Sequence, residues 1–302
     1  MKNLVLLACL LAFSTITTCA QSVDKKLTAK IQELVKDFNG QVGIFVKNLK
    51  TSKTASVNAD TLFPTASMIK IPIMLGVFNK IEKGNLSYNQ PLVYRDSLLY
   101  AGEDILGSFK DGEKISLSKV QMLSITTSDN TGSLWLQKLA GGENINNWLQ
   151  DNGFENTRVN SRIPARRKNW ENYGWGQTTP KEMARLMVLI REGKVINPAA
   201  SERMYRNLIR IYWDHEALSQ IPPYVQVASK SGAVNESRSE VVLVNAPHGD
   251  YVFCVITKNQ KDTSWDEKNE GFQLIRNLSA LLWDYYEPNS KWEPAKGMEK
   301  YR

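Results

Sequence analysis

Three short polar clusters follow one another in fixed order along the chain: Ser67-Met68-Ile69-Lys70, then Ser128-Asp129-Asn130, then Lys230-Ser231-Gly232. If they act together, the fold must carry three distant stretches of chain to one place. Each cluster is weak alone. Ser-x-x-Lys begins at Ser22, at Ser67 and at Ser116, so the four-residue pattern says little until its surroundings are read.

Those surroundings favour Ser67. It follows Phe63-Pro64-Thr65-Ala66 and opens an apolar run through Ile69, Ile71, Ile73, Met74, Val77 and Phe78, the pattern of a buried helix. A serine at such a start is ordinarily an N-cap. Lys70 changes this, because one helical turn on it shares a face with Ser67, and a lysine in a largely apolar helix needs a partner. By contrast, Ser22 lies near the N-terminus and Ser116 in a polar stretch.

A serine becomes a nucleophile beside a base, and lysine is a base only when neutral. Bringing lysine from about 10.4 toward 7 takes about 4–5 kcal/mol of differential stabilisation, which burial and a second cation such as Lys230 can supply. Ser128 can then pass a proton to a leaving nitrogen, and Asn130 can orient both Lys70 and a substrate amide. As a structural element, Ser128-Asp129-Asn130 also reads as an Asx-type turn between two helices. Lys230-Ser231-Gly232 is expected at the end of a strand, where lysine and hydroxyl meet a substrate carboxylate and glycine lets a ligand approach the backbone. The N–H groups of Ser67 and Ala233 would form an oxyanion hole, each donor contributing about 3–4 kcal/mol to transition-state stabilisation.

Residues 1–20 combine a basic start at Lys2, an apolar stretch from Leu4 to Phe13 and a Thr18-Cys19-Ala20 end. This reads as an export signal to the periplasm, with lipidation at Cys19 as the rival reading. No later segment is long and apolar enough to span a membrane. Cys254 is the one cysteine outside this region, so no internal disulfide is expected, and a domain able to bury a sizeable core does not need one. The formal charge of +7 is too diffuse for nucleic-acid binding. Arg166-Arg167-Lys168 beside Trp170 reads as a solvated loop face.

No repeat or linker divides residues 21–302, which are expected to form one domain of two lobes with a loose tail from residue 287. A helix over residues 24–38 precedes strands at Gln41–Asn48 and Thr54–Val57. Further strands are expected at Val225–Ser229, Glu240–Val244 and Tyr251–Thr257. The sheet lobe therefore draws on about residues 24–60 and 211–286, with a mostly helical lobe between. Thr179-Pro180-Lys181-Glu182 offers an N-cap hydroxyl, a first-turn proline and a capping-box carboxylate. Ser264-Trp265-Asp266-Glu267 repeats that logic before the last helix. The expectation is an α+β fold: a five-stranded antiparallel sheet flanked by N- and C-terminal helices, plus the helical lobe.

With the ordered triple in place, the chain resembles the class A β-lactamase-like serine hydrolases, part of the penicillin-recognising superfamily that includes the DD-peptidases. The resemblance covers about residues 24–286, including GEKISLSKVQML before the middle cluster and TTPKEMARL after the following loop. It implies that Ser67 is acylated, Lys70 is its proton partner, Ser128 and Asn130 form one wall, and Lys230, Ser231 and Ala233 the other. Arg238 reads either as a further carboxylate contact or as an exposed cation. One departure stands out. The family's deacylating glutamate would fall near Arg162–Ala165, where SRIPARRKNWENYGWGQTTP has no acid; Glu171 is the only acid of that loop. Glu171 is thus the one loop residue available as a base, while Trp170, Tyr173 and Trp175 would pack the loop.

Other machinery is missing. Two histidines, His215 and His248, occur without zinc-ligand spacing, and there is no Gly-x-Ser-x-Gly elbow. The expected protein is a cofactor-free, metal-free monomer acting on a β-lactam or related amide. Two alternatives are a DD-peptidase-like or ester-cleaving enzyme acting on cell-wall peptide or small acyl compounds, and a penicillin-binding sensor acylated once.

Overall fold

The computed structural model describes residues 22–102 and 104–301; the expected export signal and Cys19 lie outside them. The strands are β1 (Gln41–Asn48), β2 (Thr54–Val57), β3 (Phe63–Pro64), β4 (Pro91–Val93), β5 (Lys114–Ser116), β6 (Arg158–Val159), β7 (Gly176–Thr178), β8 (Val227–Val234), β9 (Ser237–Val244) and β10 (Tyr251–Lys258). The helices are α1 (Lys25–Val35), α2 (Lys70–Glu82), α3 (Leu117–Thr126), α4 (Asn130–Ala140), α5 (Gly142–Asp151), α6 (Arg167–Tyr173), α7 (Pro180–Arg191), α8 (Pro198–Leu208) and α9 (Glu270–Tyr286). No helix among the described residues is long and apolar enough to cross a membrane.

The main sheet has the order β2-β1-β10-β9-β8, with every pairing antiparallel. Both ends of the chain therefore build it, and β1 lies directly against β10. Strand alternation divides its side chains between two cores. Ile44, Val46, Val242, Phe253 and Val255 pack with Leu27 and Ile31 of α1 and Leu274, Leu278 and Leu282 of α9. Phe45, Val241, Leu243 and Cys254 pack instead with Met183, Leu186 and Met187 of α7 and the buried face of α2. The α+β architecture and the two flanking terminal helices are as the sequence predicts.

Local details refine the expectations. Thr179 caps α7 by accepting from the Glu182 N–H at 3.2 Å, but the Glu182 carboxylate does not close a capping box. It accepts from the amides of Glu155, Asn156 and Thr157 and from the Thr157 hydroxyl, tying α7 to the start of β6. The last helix is capped by Asn269, whose Oδ1 accepts from Gly271 and Phe272. The Ser264 start is therefore corrected: the Ser264 carbonyl accepts from Asn269 and from Arg238, which holds residues 264–268 as a turn ahead of the helix. Strand β8 continues to Val234, so Lys230-Ser231-Gly232 lies inside the strand, not at its end.

Candidate active site

Ser67 sits inside the tight turn Ala66–Ile69 that feeds α2 and is not at a cap position: Thr65 precedes the turn and Ile69 precedes the helix, neither with a side-chain cap bond. Ala66 before it has φ 44° and Ser128 has φ 59°. Left-handed backbone at two non-glycine residues of one cleft marks local strain held by the surrounding fold. Thr65 is fixed from the loop side, its N–H donating to the Gly176 carbonyl at 3.0 Å. From the sheet side, the Ser239 hydroxyl donates to the Gly232 carbonyl at 3.1 Å and lies 3.4 Å from that of Thr65.

Gly232 explains how β8 reaches this turn. A Cβ there would stand 2.8 Å from the Ser67 nitrogen, the Thr65 carbonyl and the Ser239 hydroxyl, so only glycine permits the approach.

Lys70, in the first turn of α2, is fully buried. Its Nζ donates to the Ser128 carbonyl at 2.5 Å, the Ser128 hydroxyl at 3.0 Å and Asn130 Oδ1 at 2.8 Å. Burial holds its pKa well below the ordinary lysine value, and the positive charge of Lys230 lowers it further. Lys230 is also fully buried. Its Nζ lies 3.1 Å from the Ser128 hydroxyl and donates to the Ser231 carbonyl at 3.0 Å. Burial brings Lys230 down to about 8, against the opposing pull of Glu240. Burial likewise raises Glu240, to about 7, although it accepts from the Ser229 hydroxyl and the Ala217 amide.

The Ser128 hydroxyl thus stands between two buried amines, a geometry suited to passing a proton from one side of a cleft to the other. Asp129 supplies the architecture, as the Asx reading expects. It caps α4 by accepting from Gly132 at 2.6 Å, and its second oxygen accepts from the Leu106 amide at 2.9 Å.

Two cavities meet at Ser67. One, of about 710 Å³, includes Ser128, Asn130, Ser231, Ala233, Trp213 and Trp265. The other, of about 440 Å³, includes Asn130, Ala233, Tyr100, Asn172, Trp175 and Lys258. Asn130 and Ala233 face both. Sequence reasoning missed Tyr100, Trp213, Trp265 and Lys258, which come from separate loops and a strand end with no spacing to mark them. Trp175 meets Tyr100 edge-on at 5.2 Å, closing the cleft between loop and helical lobe.

Not every expected residue joins the site. Glu171 is exposed, and its Oε1 accepts from Arg167 Nε at 2.8 Å; neither cavity at Ser67 includes it. The interior of that loop is held by amides and a cation. Arg166 donates to Asn160 at 2.7 Å and to Gln177 at 2.9 Å, and Asn169 donates to Gln177 at 2.9 Å. Arg166 is therefore half-buried, a correction to the reading of Arg166-Arg167-Lys168 as wholly solvated. Trp170 stays exposed under the Arg167 guanidinium.

Arg238 is not an exposed cation. It is fully buried, between the rings of Trp265 and Phe272, donating to the carbonyls of Val234, Ser237 and Ser264. No group of three or more metal-ligating side chains occurs among the described residues.

A family model described as the β-lactamase enzyme family matches residues 26–286. The β-lactamase VEB-1 of Pseudomonas aeruginosa is 27% identical over 300 residues, covering 94% of this chain and 98% of the relative. Among solved structures, PBP-A superposes with a TM-score of 0.78 at 25% identity, covering 89% of this chain and 98% of that one. A point mutant of PBP-A has been solved as an acyl-enzyme complex with penicillin G. The extended-spectrum β-lactamase TLA-1, at 20% identity, a TM-score of 0.77, and coverage of 86% and 98%, shares the fold. Family match, fold and serine–lysine cleft agree: the chain belongs to the β-lactamase enzyme family, as a β-lactamase-like serine hydrolase of the penicillin-recognising superfamily.

Proposed function

We propose that this protein is exported and hydrolyses β-lactams through an acyl-enzyme on Ser67. The observation that carries the reading is the Ser128 hydroxyl held 3.0 Å from Lys70 and 3.1 Å from Lys230. Neutral Lys70 takes the Ser67 proton as Oγ attacks the lactam carbonyl carbon. Ser128 delivers a proton to the ring nitrogen as the C–N bond breaks. The amides of Ser67 and Ala233 receive the oxyanion, while Lys230 and Ser231 hold the substrate carboxylate. Asn130 orients Lys70 and the substrate amide. Export rests on the segment 1–20, with Cys19 as the alternative anchor point.

A second reading is favoured by one observation. Glu171, the only acid in the loop, pairs with Arg167 outside both cavities, which leaves Lys70 as the base for releasing the acyl group. Slow release would make the protein a penicillin-binding or DD-peptidase-like relative. Nitrocefin turnover combined with intact-mass detection of a penicilloyl adduct separates these. Multiple turnovers support hydrolysis, and a persistent adduct supports the sensor. Cleavage of a D-Ala-D-Ala peptide without lactam turnover supports the peptidase. A Ser67→Ala variant that still forms the adduct overturns the assignment of Ser67.

A further inference from the structure

The two cavities that meet at Ser67 differ in chemistry. Ser128 and Ser231, which face the leaving nitrogen and the carboxylate beside it in the proposed reaction, line the larger one. The acyl half of the substrate then enters the smaller one, between Ala233 and the loop residues Asn172 and Trp175.

A cation is built into that smaller cavity. Lys258, at the end of β10, donates to the Leu62 carbonyl at 2.8 Å, and its ammonium lies 4.8 Å from the centre of the Phe63 ring. One carbonyl and a ring face satisfy only part of an ammonium with three N–H donors. Burial lowers its pKa, and among the described residues no carboxylate offsets that effect. Glu236 also borders this cavity, but it is exposed, where solvent and salt screen its charge. A half-buried cation with no ion-pair partner among the described residues, in a space continuous with Ser67, is a recognition element for an anionic substituent.

We infer that Lys258 is a specificity-determining residue that favours substrates bearing a carboxylate on the acyl side chain. The inference rests on the reading of Ser67 as the acylated residue and on the orientation that reading gives the substrate. Lys258 does not enter the bond-making steps; it pairs with the acyl substituent and positions it between strand and loop.

Benzylpenicillin and carbenicillin form a suitable pair, since carbenicillin adds one carboxylate to the acyl side chain. Lys258→Gln is expected to slow acylation by carbenicillin about ten-fold while benzylpenicillin changes by less than about two-fold. Lys258→Arg, which keeps the charge, is expected to retain the carbenicillin rate. Equal losses for both compounds in Lys258→Gln, or no loss for either, would overturn the inference and leave Lys258 as a tether for Leu62. Equilibrium binding of the same two compounds to Ser67→Ala, with and without Lys258→Gln, reads the preference without acylation. If the unmodified protein forms no adduct, the proposed function fails. The Ser67→Ala comparison still decides Lys258: a selective loss of carbenicillin affinity sustains it, and parallel binding of the two compounds removes it.

Discussion

Gly232 occupies a position with no room for a side chain, and the cleft depends on that vacancy. A Cβ there meets the Ser67 nitrogen and the Thr65 carbonyl, both backbone atoms, so neither can rotate aside. Gly232→Ala is expected to push β8 away from the Ser67 turn, at a cost of about 1–3 kcal/mol. Acylation should fall by at least about ten-fold. Stopped-flow acylation and urea unfolding measure the two effects separately. A second residue-scale prediction concerns charge. Lys230 at about 8 loses its proton as pH rises through that value, so in the proposed reaction carboxylate binding and acylation are expected to decline above it. Glu240 is the carboxylate that holds Lys230 up. Glu240→Gln removes this support and is expected to move the alkaline limb of the pH–acylation profile to lower pH; a limb that stays in place contradicts the coupling. The cleft residues are legible because type and order survive without geometry: Lys70, Ser128, Asn130 and Lys230 are hydrogen-bonded together, and Ser67 lines the same cavity as Ser128 and Asn130. Arg238 was misread because its neighbours, Trp265 and Phe272, come from a distant turn and helix that no local pattern links to it.

At the scale of elements, the loop between β6 and α7 is where the acid expected as a base stays outside both cavities at Ser67. Its hydrogen bonds run through Arg166, Asn160, Asn169 and Gln177, while Glu171 forms an exposed pair with Arg167. Glu171→Gln is therefore expected to leave deacylation unchanged and to alter stability by less than about 0.5 kcal/mol, as read by adduct lifetime and thermal melting. Glu182 is the opposite case. Its carboxylate receives three backbone amides and a hydroxyl, and Glu182→Ala should cost about 2–4 kcal/mol by leaving those donors without their acceptor. The helix starting at Pro180 was legible because its cap and proline are local signals. The end of β8 was not, since Lys230-Ser231-Gly232 reads as a strand end, and pairing of Ser231 with Glu240 and of Gly232 with Ser239 carries the strand on past it.

Across the whole molecule, the main sheet joins the first strand after α1 to the last before α9, and both of its faces are buried. Neither lobe closes its own core without the other. Thermal unfolding is expected to be one cooperative transition, with far-UV and near-UV circular dichroism coinciding; separate midpoints would argue for two independently folding units. The alternation of apolar residues made the sheet legible. The placement of residues 292–298 did not follow from composition: Trp292, Pro294 and Ala295 border a cavity of about 480 Å³ against Leu218 and Pro222, a contact no periodicity predicts.

Cys254 stands opposite Phe45 and Val241 in the middle of that sheet, buried, with its thiol pushed well above its usual ionisation range. A maleimide or iodoacetamide reagent can reach this sulfur only when the strands part. Its modification rate is thus a built-in clock for global opening, and a cysteine engineered at the rim of the cleft can carry a fluorophore while the native one stays unlabelled.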